Sequence, residues 1–348
     1  MNINDEWLQY LLENNNNCDD NDYTFSKTDT TFIHEEETEP SSLYISTKTK
    51  IAFISQPIDI ASVFWDIPLI EYSSPCEGFV KKQTKFNCLT PAESQFIADK
   101  LSKVNRKYDE KIITKHSKSG GANKVVEYKD VRKISVGICK KDIFSNNSQE
   151  KSAFYNCIVL ETRLLLDESF REIHVKLFNT GKIEIPGVKQ DPLFDQIIDK
   201  LEVMITAFLG VEIKIDRTKI ETILINSDFN CGYYIKRESL IRILSDKYNI
   251  PCIFDSCSYP GIKCKHEFQY KMGNSARVSF MIFRTGSVLI VGKCEEEIIY
   301  QAYELIRRIL VDERMNILQP NALKPIKNSK IKQSKQCKKL VTFQLTNN

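Results

Sequence analysis

Four side chains able to bind a transition metal fall within fifteen residues: Cys252, Cys257, Cys264 and His266. Zinc sites draw their thiolates and imidazoles from short loop-forming spacings, so that four ligands can converge on one tetrahedron. Steps of five, seven and two match no common pattern of that kind, and no metal is expected. The other histidines, His34, His116 and His174, show no pairing of nucleophile and base, and no phosphate-cradling, H-E-x-x-H or G-x-S-x-G motif occurs. Neither catalysis nor a cofactor is expected. What remains is the chemistry of a surface. Along Val278–Val291, period-two alternation places Ser279, Met281, Phe283, Leu289 and Val291 on one face and Phe280, Ile282, Val288 and Ile290 on the other. Both faces are apolar. If helices cover one face of an antiparallel sheet, the second apolar face must be covered by something else, for which the plain candidates are the other domain or a partner protein.

A hairpin must carry those residues, and the chain contains two alike. Ile173–Val188 and Val278–Lys293 align without gaps at an offset of 105, sharing Phe178/Phe283, Thr180/Thr285, Gly181/Gly286, Ile185/Ile290 and Gly187/Gly292. Each reads as strand, tight turn with glycine, strand. Each precedes a helical pattern with one apolar stripe: Phe194, Ile197, Ile198, Leu201, Ile205 and Phe208 in the first, Ile298, Ile299, Ala302, Ile306 and Ile309 in the second. Upstream, Ile45–Phe53 and Ile220–Asp228 read as matching strands at an offset of 175, followed by short candidate helices near 58–67 and 237–248. The first unit therefore carries about 70 extra residues, placed mainly within 83–151. The amphipathic stretch Pro91–Tyr108 and the Gly120-Gly121 break predict a helix plus surface loops there.

The 348 residues allow about two domains or one duplicated unit. Hydrophobic residues at 42% and charged residues at 27% are ordinary globular values. The most apolar run, Val278–Val291, is broken by Arg284, so no membrane span is expected, and the acidic first residues predict no secretory signal. Eleven cysteines without a C-x-x-C pair read as reduced thiols of an intracellular protein. Charge is uneven: residues 1–40 hold eleven acids against Lys27, whereas eight Lys or Arg and no acid follow Glu313. The leader, with its Asn14–Asn17 run, is not expected to order itself. The tail, with Lys324, Lys327, Lys330, Lys332, Lys335, Lys338 and Lys339, reads as a solvated arm, a non-specific phosphate-binding arm or a nuclear signal.

Several residues carry a family resemblance over about 43–312. Tyr259-Pro260-Gly261 stands where the family has Phe-Pro-Gly, Ile282-Phe283-Arg284-Thr285-Gly286-Ser287 where it has Ile-Phe-Val-Ser-Gly-Lys, and Glu296–Glu304 follows its last helix. Leu177-Phe178-Asn179-Thr180-Gly181-Lys182 is the corresponding core of the first unit. The chain thus resembles the TATA-box-binding protein family, more closely the TATA-box-binding-protein-like proteins of large nucleocytoplasmic DNA viruses. The resemblance implies an α+β saddle: two pseudo-symmetric repeats, here 43–210 and 219–312 between a leader (1–40) and a tail (314–348), form one curved antiparallel sheet with helices on its convex face.

It also implies a non-catalytic role in transcription initiation, binding and bending A/T-rich double-stranded DNA through the minor groove. Recognition of that groove relies on its width, on small and apolar contacts and on wedges that unstack base steps. Such wedging is that family's own established behaviour. By position the wedges are Tyr259 and Phe283 in the second unit and Phe178 and Phe154 in the first, with Phe154–Leu160 as a strand before an insertion at Leu164–Phe170. Val291, Met281, Leu289 and Ser279 line the groove face. Pro186 and Val291 replace the family's paired threonines, and Thr47 and Thr222 its paired asparagines, which weakens hydrogen bonding to bases. His174, Lys176 and Glu184 share the first unit's face, where Glu184 is unfavourable toward phosphates. Only Asp255 keeps an acid where the family docks an initiation factor. The implied partners are a virus-encoded initiation factor and RNA polymerase, and the implied location is the host nucleus, a cytoplasmic viral factory or the virion. The alternatives are a saddle that binds protein and has lost specific DNA binding, or another protein sharing the saddle.

Overall fold

A computed structural model describes residues 39–118, 127–144, 156–270 and 274–319. Phe154, the leader to residue 38 and the lysines from Lys324 onward lie outside the described residues. Among the described residues, twelve strands form one antiparallel sheet: β1 (Tyr44–Phe53), β2 (Gly78–Cys88), β3 (Tyr108–Lys118), β4 (Glu127–Gly137), β5 (Cys157–Leu166), β6 (Ser169–Phe178), β7 (Lys182–Val188), β8 (Glu221–Asn230), β9 (Cys252–Ile253), β10 (Ile262–Tyr270), β11 (Asn274–Ile282) and β12 (Ser287–Gly292). Their order is β3-β4-β2-β5-β6-β7-β1-β8-β12-β11-β10-β9. Outward from the central pair β1–β8, the series β7, β6, β5, β2 is mirrored by β12, β11, β10, β9. The described fold is α+β in two pseudo-symmetric halves.

The helices are α1 (Ile60–Asp66), α2 (Pro91–Leu101), α3 (Lys140–Phe144), α4 (Asp191–Leu209), α5 (Arg237–Asp246), α6 (Glu296–Asp312) and α7 (Arg314–Ile317). The apolar stripe of α4 meets Ile183, Ile185, Leu177, Val175, Ile158 and Leu160 in one core. That of α6 meets Val278, Phe280, Ile282, Val288 and Ile290 in a second. Each such fully buried side chain contributes about 1.5–3 kcal/mol. Between the cores, Lys48 Nζ lies 2.5 Å from Glu296 and 3.8 Å from Asp191, the first residues of α6 and α4.

The halves repeat in backbone detail. Ile54 N donates to Gly181 O and Ile58 N to Asn179 O; Cys231 N donates to Gly286 O and Ile235 N to Arg284 O. The hairpin offset is 105, as in the sequence. Gly181 (φ +80°) and Gly286 (φ +83°) both take the left-handed conformation, and a Cβ would stand 2.7 Å from Gln56 O in the first and 2.4 Å from Tyr233 O in the second. Only glycine fits there.

Three expectations need correction. The stretch 83–151 is not a helix plus loops. After the end of β2 it supplies α2 and the β3–β4 hairpin, which extends the sheet beyond β2. Ser94 of α2 donates to Asp130 (3.0 Å), a fully buried carboxylate that also holds Arg132 (2.5 Å), so the extension is anchored by a buried polar network. Leu164–Phe170 is no insertion either: it is the tip of the β5–β6 hairpin, where Asp167 (φ +47°) and Glu168 (φ +62°) make the turn. Finally, not every helix packs on one face. Asp142 of α3 pairs with Lys81 (2.8 Å), and Lys140 N donates to Glu172 (2.8 Å), on the face opposite the cores.

Candidate nucleic-acid interface

The face opposite the two cores is defined by the ladder register. Across the middle run Thr49↔Leu224 and Thr47↔Asn226↔Val291↔Ser279, followed by Tyr44↔Asp228↔Leu289↔Met281↔Lys263. Asn226 Nδ2 donates to Thr47 Oγ1 at 3.0 Å across the central pair. Thr49↔Leu224 carries the same offset of 175 as the opening strands, so the pseudo-dyad passes through it. The register brings Thr47, Ser279, Met281, Leu289 and Val291 together on one strip; Met281 and Val291 are buried, while Thr47, Ser279 and Leu289 are half-buried. Thr222, half-buried, lies two residues along β8 from Leu224 and opposite Lys50, because a bulge shifts the pairing. The strip carries one negative charge, Asp228, whose carboxyl is held above its ordinary value by burial, and Lys263 stands at the end of its row.

At the outer end of the second half, the Tyr259 and Phe283 rings meet edge to face with centroids 5.9 Å apart. Both lean over Gly261, where a Cβ would lie 3.0 Å from Phe283 and 3.1 Å from Tyr259. Tyr259 is buried: its hydroxyl reaches Met281 Sδ (3.4 Å), Lys263 Nζ sits 4.4 Å over its ring, and burial holds the phenol above its ordinary pKa. Phe283 is half-buried and presents the ring, with Tyr259 as its buttress.

The first half is built differently. Phe178 is half-buried at the matching hairpin end, with Lys182 Nζ 4.1 Å over its ring. Beside it Lys176 and Glu184, each with a side chain 4% exposed, pair at 2.7 Å, and Lys182 stands 3.9 Å from Glu184. The bare carboxylate expected at Glu184 is thus neutralised within the face. Further along, His174 contacts Glu161 (2.8 Å), and Arg163 reaches Glu172 (3.5 Å) and the Tyr72 and Ser74 carbonyls. Pro186 is half-buried opposite Thr49.

Sequence reasoning missed Asn226, Asp228, Thr49 and Leu224, which stand at the centre of the face. Alternation in Ile-Leu-Ile-Asn-Ser-Asp carried that signal, but the β1 and β8 faces could not be assigned without the bulge. The metal candidates do not converge. Cys252 and Cys264 oppose each other with Sγ atoms 3.2 Å apart, Cys257 is exposed, and among the described residues no three ligating side chains gather.

Fold and face together define a two-repeat open-sheet α+β protein with a largely uncharged central strip. In sequence the chain is similar to TATA-box-binding proteins. It is 24% identical over 177 residues to a TATA-box-binding protein-like protein of Acanthamoeba polyphaga mimivirus, covering 45% of this chain and 48% of that one. It is 28% identical over 138 residues to TATA-box-binding protein 2 of Entamoeba histolytica, covering 40% and 58%. The match thus spans about half the length of these relatives, and the viral link rests on the mimivirus protein. Among solved structures, Methanococcus jannaschii TBP aligns with a TM-score of 0.36 and 12% identity, covering 79% of this chain and 99% of that one. No family model matches the chain.

Proposed function

We propose that the face opposite the two cores binds A/T-rich duplex DNA through the minor groove and bends it, as a transcription initiation factor of viral origin. The observation that carries this reading is the strip of small, apolar and amide side chains from Thr49 to Met281, ending on the Phe283 ring. A minor groove offers acceptors and curved apolar walls and little sequence code, so a surface of this type suits its floor, and a half-exposed ring braced from behind suits a kinked base step. The strip would meet the groove floor, Phe283 and Phe178 the two ends. A virus-encoded initiation factor and polymerase would assemble on such a complex, in the nucleus or a viral factory.

A competing reading, that the face binds protein, draws on the first half, where ion pairs and α3 occupy part of the surface. Competition between A/T-rich and G/C-rich duplexes separates the two. The intact protein should prefer the A/T-rich duplex, and Phe283→Ala should weaken binding about thirtyfold or more with parallel loss of bending. Equal affinity for both duplexes, unaltered by the substitution, would assign the face to a protein partner.

A further inference from the structure

Cys252 on β9 and Cys264 on β10 are directly paired across the strands, with Sγ atoms 3.2 Å apart. In the next row Lys265 N donates to Pro251 O. Antiparallel rows alternate, so the cysteine row is a non-hydrogen-bonded one, in which Cα atoms lie about 4.5 Å apart and side chains come closest. A disulfide needs Cα atoms about 4.4–6.8 Å apart. The two sulfurs can therefore bond with little movement of the backbone.

Cys252 is half-buried on the outermost strand, and Cys264 is buried behind it. Its hydrogen bond with Cys264 holds the Cys252 thiol below the ordinary pKa against the effect of burial, while the same contact and burial hold Cys264 above it. Burial pushes Cys139, Cys231 and Cys294 up to about 11. The reachable sulfur of the pair is thus also the one that ionises first, as an attacking thiol must.

Between the two cysteines runs the arc 253–263, which carries Tyr259 and Gly261. Cys264 belongs to the second core, whereas Tyr259 reaches Met281 on the opposite face. A bond would form behind the sheet and leave the Phe283 side uncovered. The base of the arc is held by β9, only two residues long, by Arg237, which donates to Pro260 O, and by the turn in which Tyr259 N donates to Asp255 O (2.9 Å). A covalent tie at that base restricts openings that would draw Tyr259 away from Phe283.

We infer that Cys252 and Cys264 form a reversible redox clasp that fixes the Tyr259–Phe283 end of the face when oxidised. Its effect on DNA rests on the proposed DNA-binding reading; the bond itself does not. The oxidant is a small-molecule disulfide. The Cys252 thiolate attacks one of its sulfurs and expels the first thiolate; Cys264 then gives up its proton, attacks Cys252 Sγ and expels the second. One S–S bond forms and one breaks, the two cysteines are oxidised, and the reagent leaves as two thiols carrying the two cysteine protons.

The test treats the full chain with oxidised glutathione and maps its thiols by alkylation and mass spectrometry. Cys252 and Cys264 should become unreactive together with loss of two hydrogen atoms, and dithiothreitol should restore both. Amides of 253–263 should exchange about tenfold more slowly in the oxidised protein. An A/T-rich duplex should dissociate several-fold more slowly, because the ring's buttress is preorganised. Cys264→Ser should stop the reaction at a glutathione adduct on Cys252, and Cys252→Ser should leave Cys264 unmodified. A lasting adduct on wild-type Cys252, a bond to the exposed Cys257 instead, or amide exchange unaltered by the bond would overturn the clasp. If the bond forms and slows exchange but the protein binds no duplex in either state, the clasp stands and the DNA reading falls.

Discussion

Asp228 sits between Tyr44 and Leu289 on the central strip, and burial alone raises its carboxyl pKa. For such an acid the folded state holds its proton longer than the unfolded chain. The sign follows: below the ordinary value of 3.8 the group is neutral in both states, and stability falls as pH rises from there through the folded value. Asp228→Asn should therefore melt higher than wild type at neutral pH and no higher once the pH is below that window. Thermal melts of both proteins at the two extremes check this, and a stability gain that persists in acid would mean the side chain acts through packing. On the DNA reading the same change should tighten duplex binding, since it removes the strip's one negative charge. The aromatic at 283 was legible in sequence because alternation and a glycine turn fix its side of the sheet. Asn226 and Asp228 were not, because the β1–β8 bulges that set their rows involve strands 180 residues apart.

At the scale of elements, the two hairpins were legible because their signals are local: glycine turns, period-two strands, and one apolar stripe per helix. Gly286 shows how strictly the turn is set, with φ +83° and Tyr233 O 2.4 Å from where a Cβ would lie. Gly286→Ala should cost at least about 2 kcal/mol, from left-handed strain plus contact with a backbone that cannot move aside. Urea unfolding measures it, and a loss below about 0.5 kcal/mol would mean the turn relaxes freely. The β3–β4 hairpin was illegible for the opposite reason. Its strands are charged on both faces: Arg132 and Glu110 pair on the helix side while Lys133 and Lys111 stand on the other, so no apolar period shows. The β5–β6 turn was missed because Asp167-Glu168, both at positive φ, lacks the Asn or Gly that marks such turns.

For the molecule as a whole, the two cores meet across the β1–β8 pair, where Lys50 holds Asp191 (2.8 Å) and Lys48 reaches both Asp191 and Glu296. The Lys48 ammonium is nearly buried, with a side chain 11% exposed, and touches the first residue of each long helix, where the helix dipole is positive and an acid is favourable. Its acidic partners are substantially exposed, so Lys48→Met should cost only about 1 kcal/mol. The distinguishing outcome is where the loss appears: amide exchange should rise together in the first turns of α4 and α6. A change confined to one helix would show that the halves are joined by β1–β8 alone.

Near-symmetry about Thr49 and Leu224 leaves the molecule two ways to lie along a groove that is itself almost the same in either sense. The added hairpin exists at one end. On the DNA reading the two seatings then differ in which flank runs under β4 and β3, and only a duplex whose flanks are alike would accept both equally. The chain carries a heading, like the barb on an arrow, in an element that takes no part in the central strip.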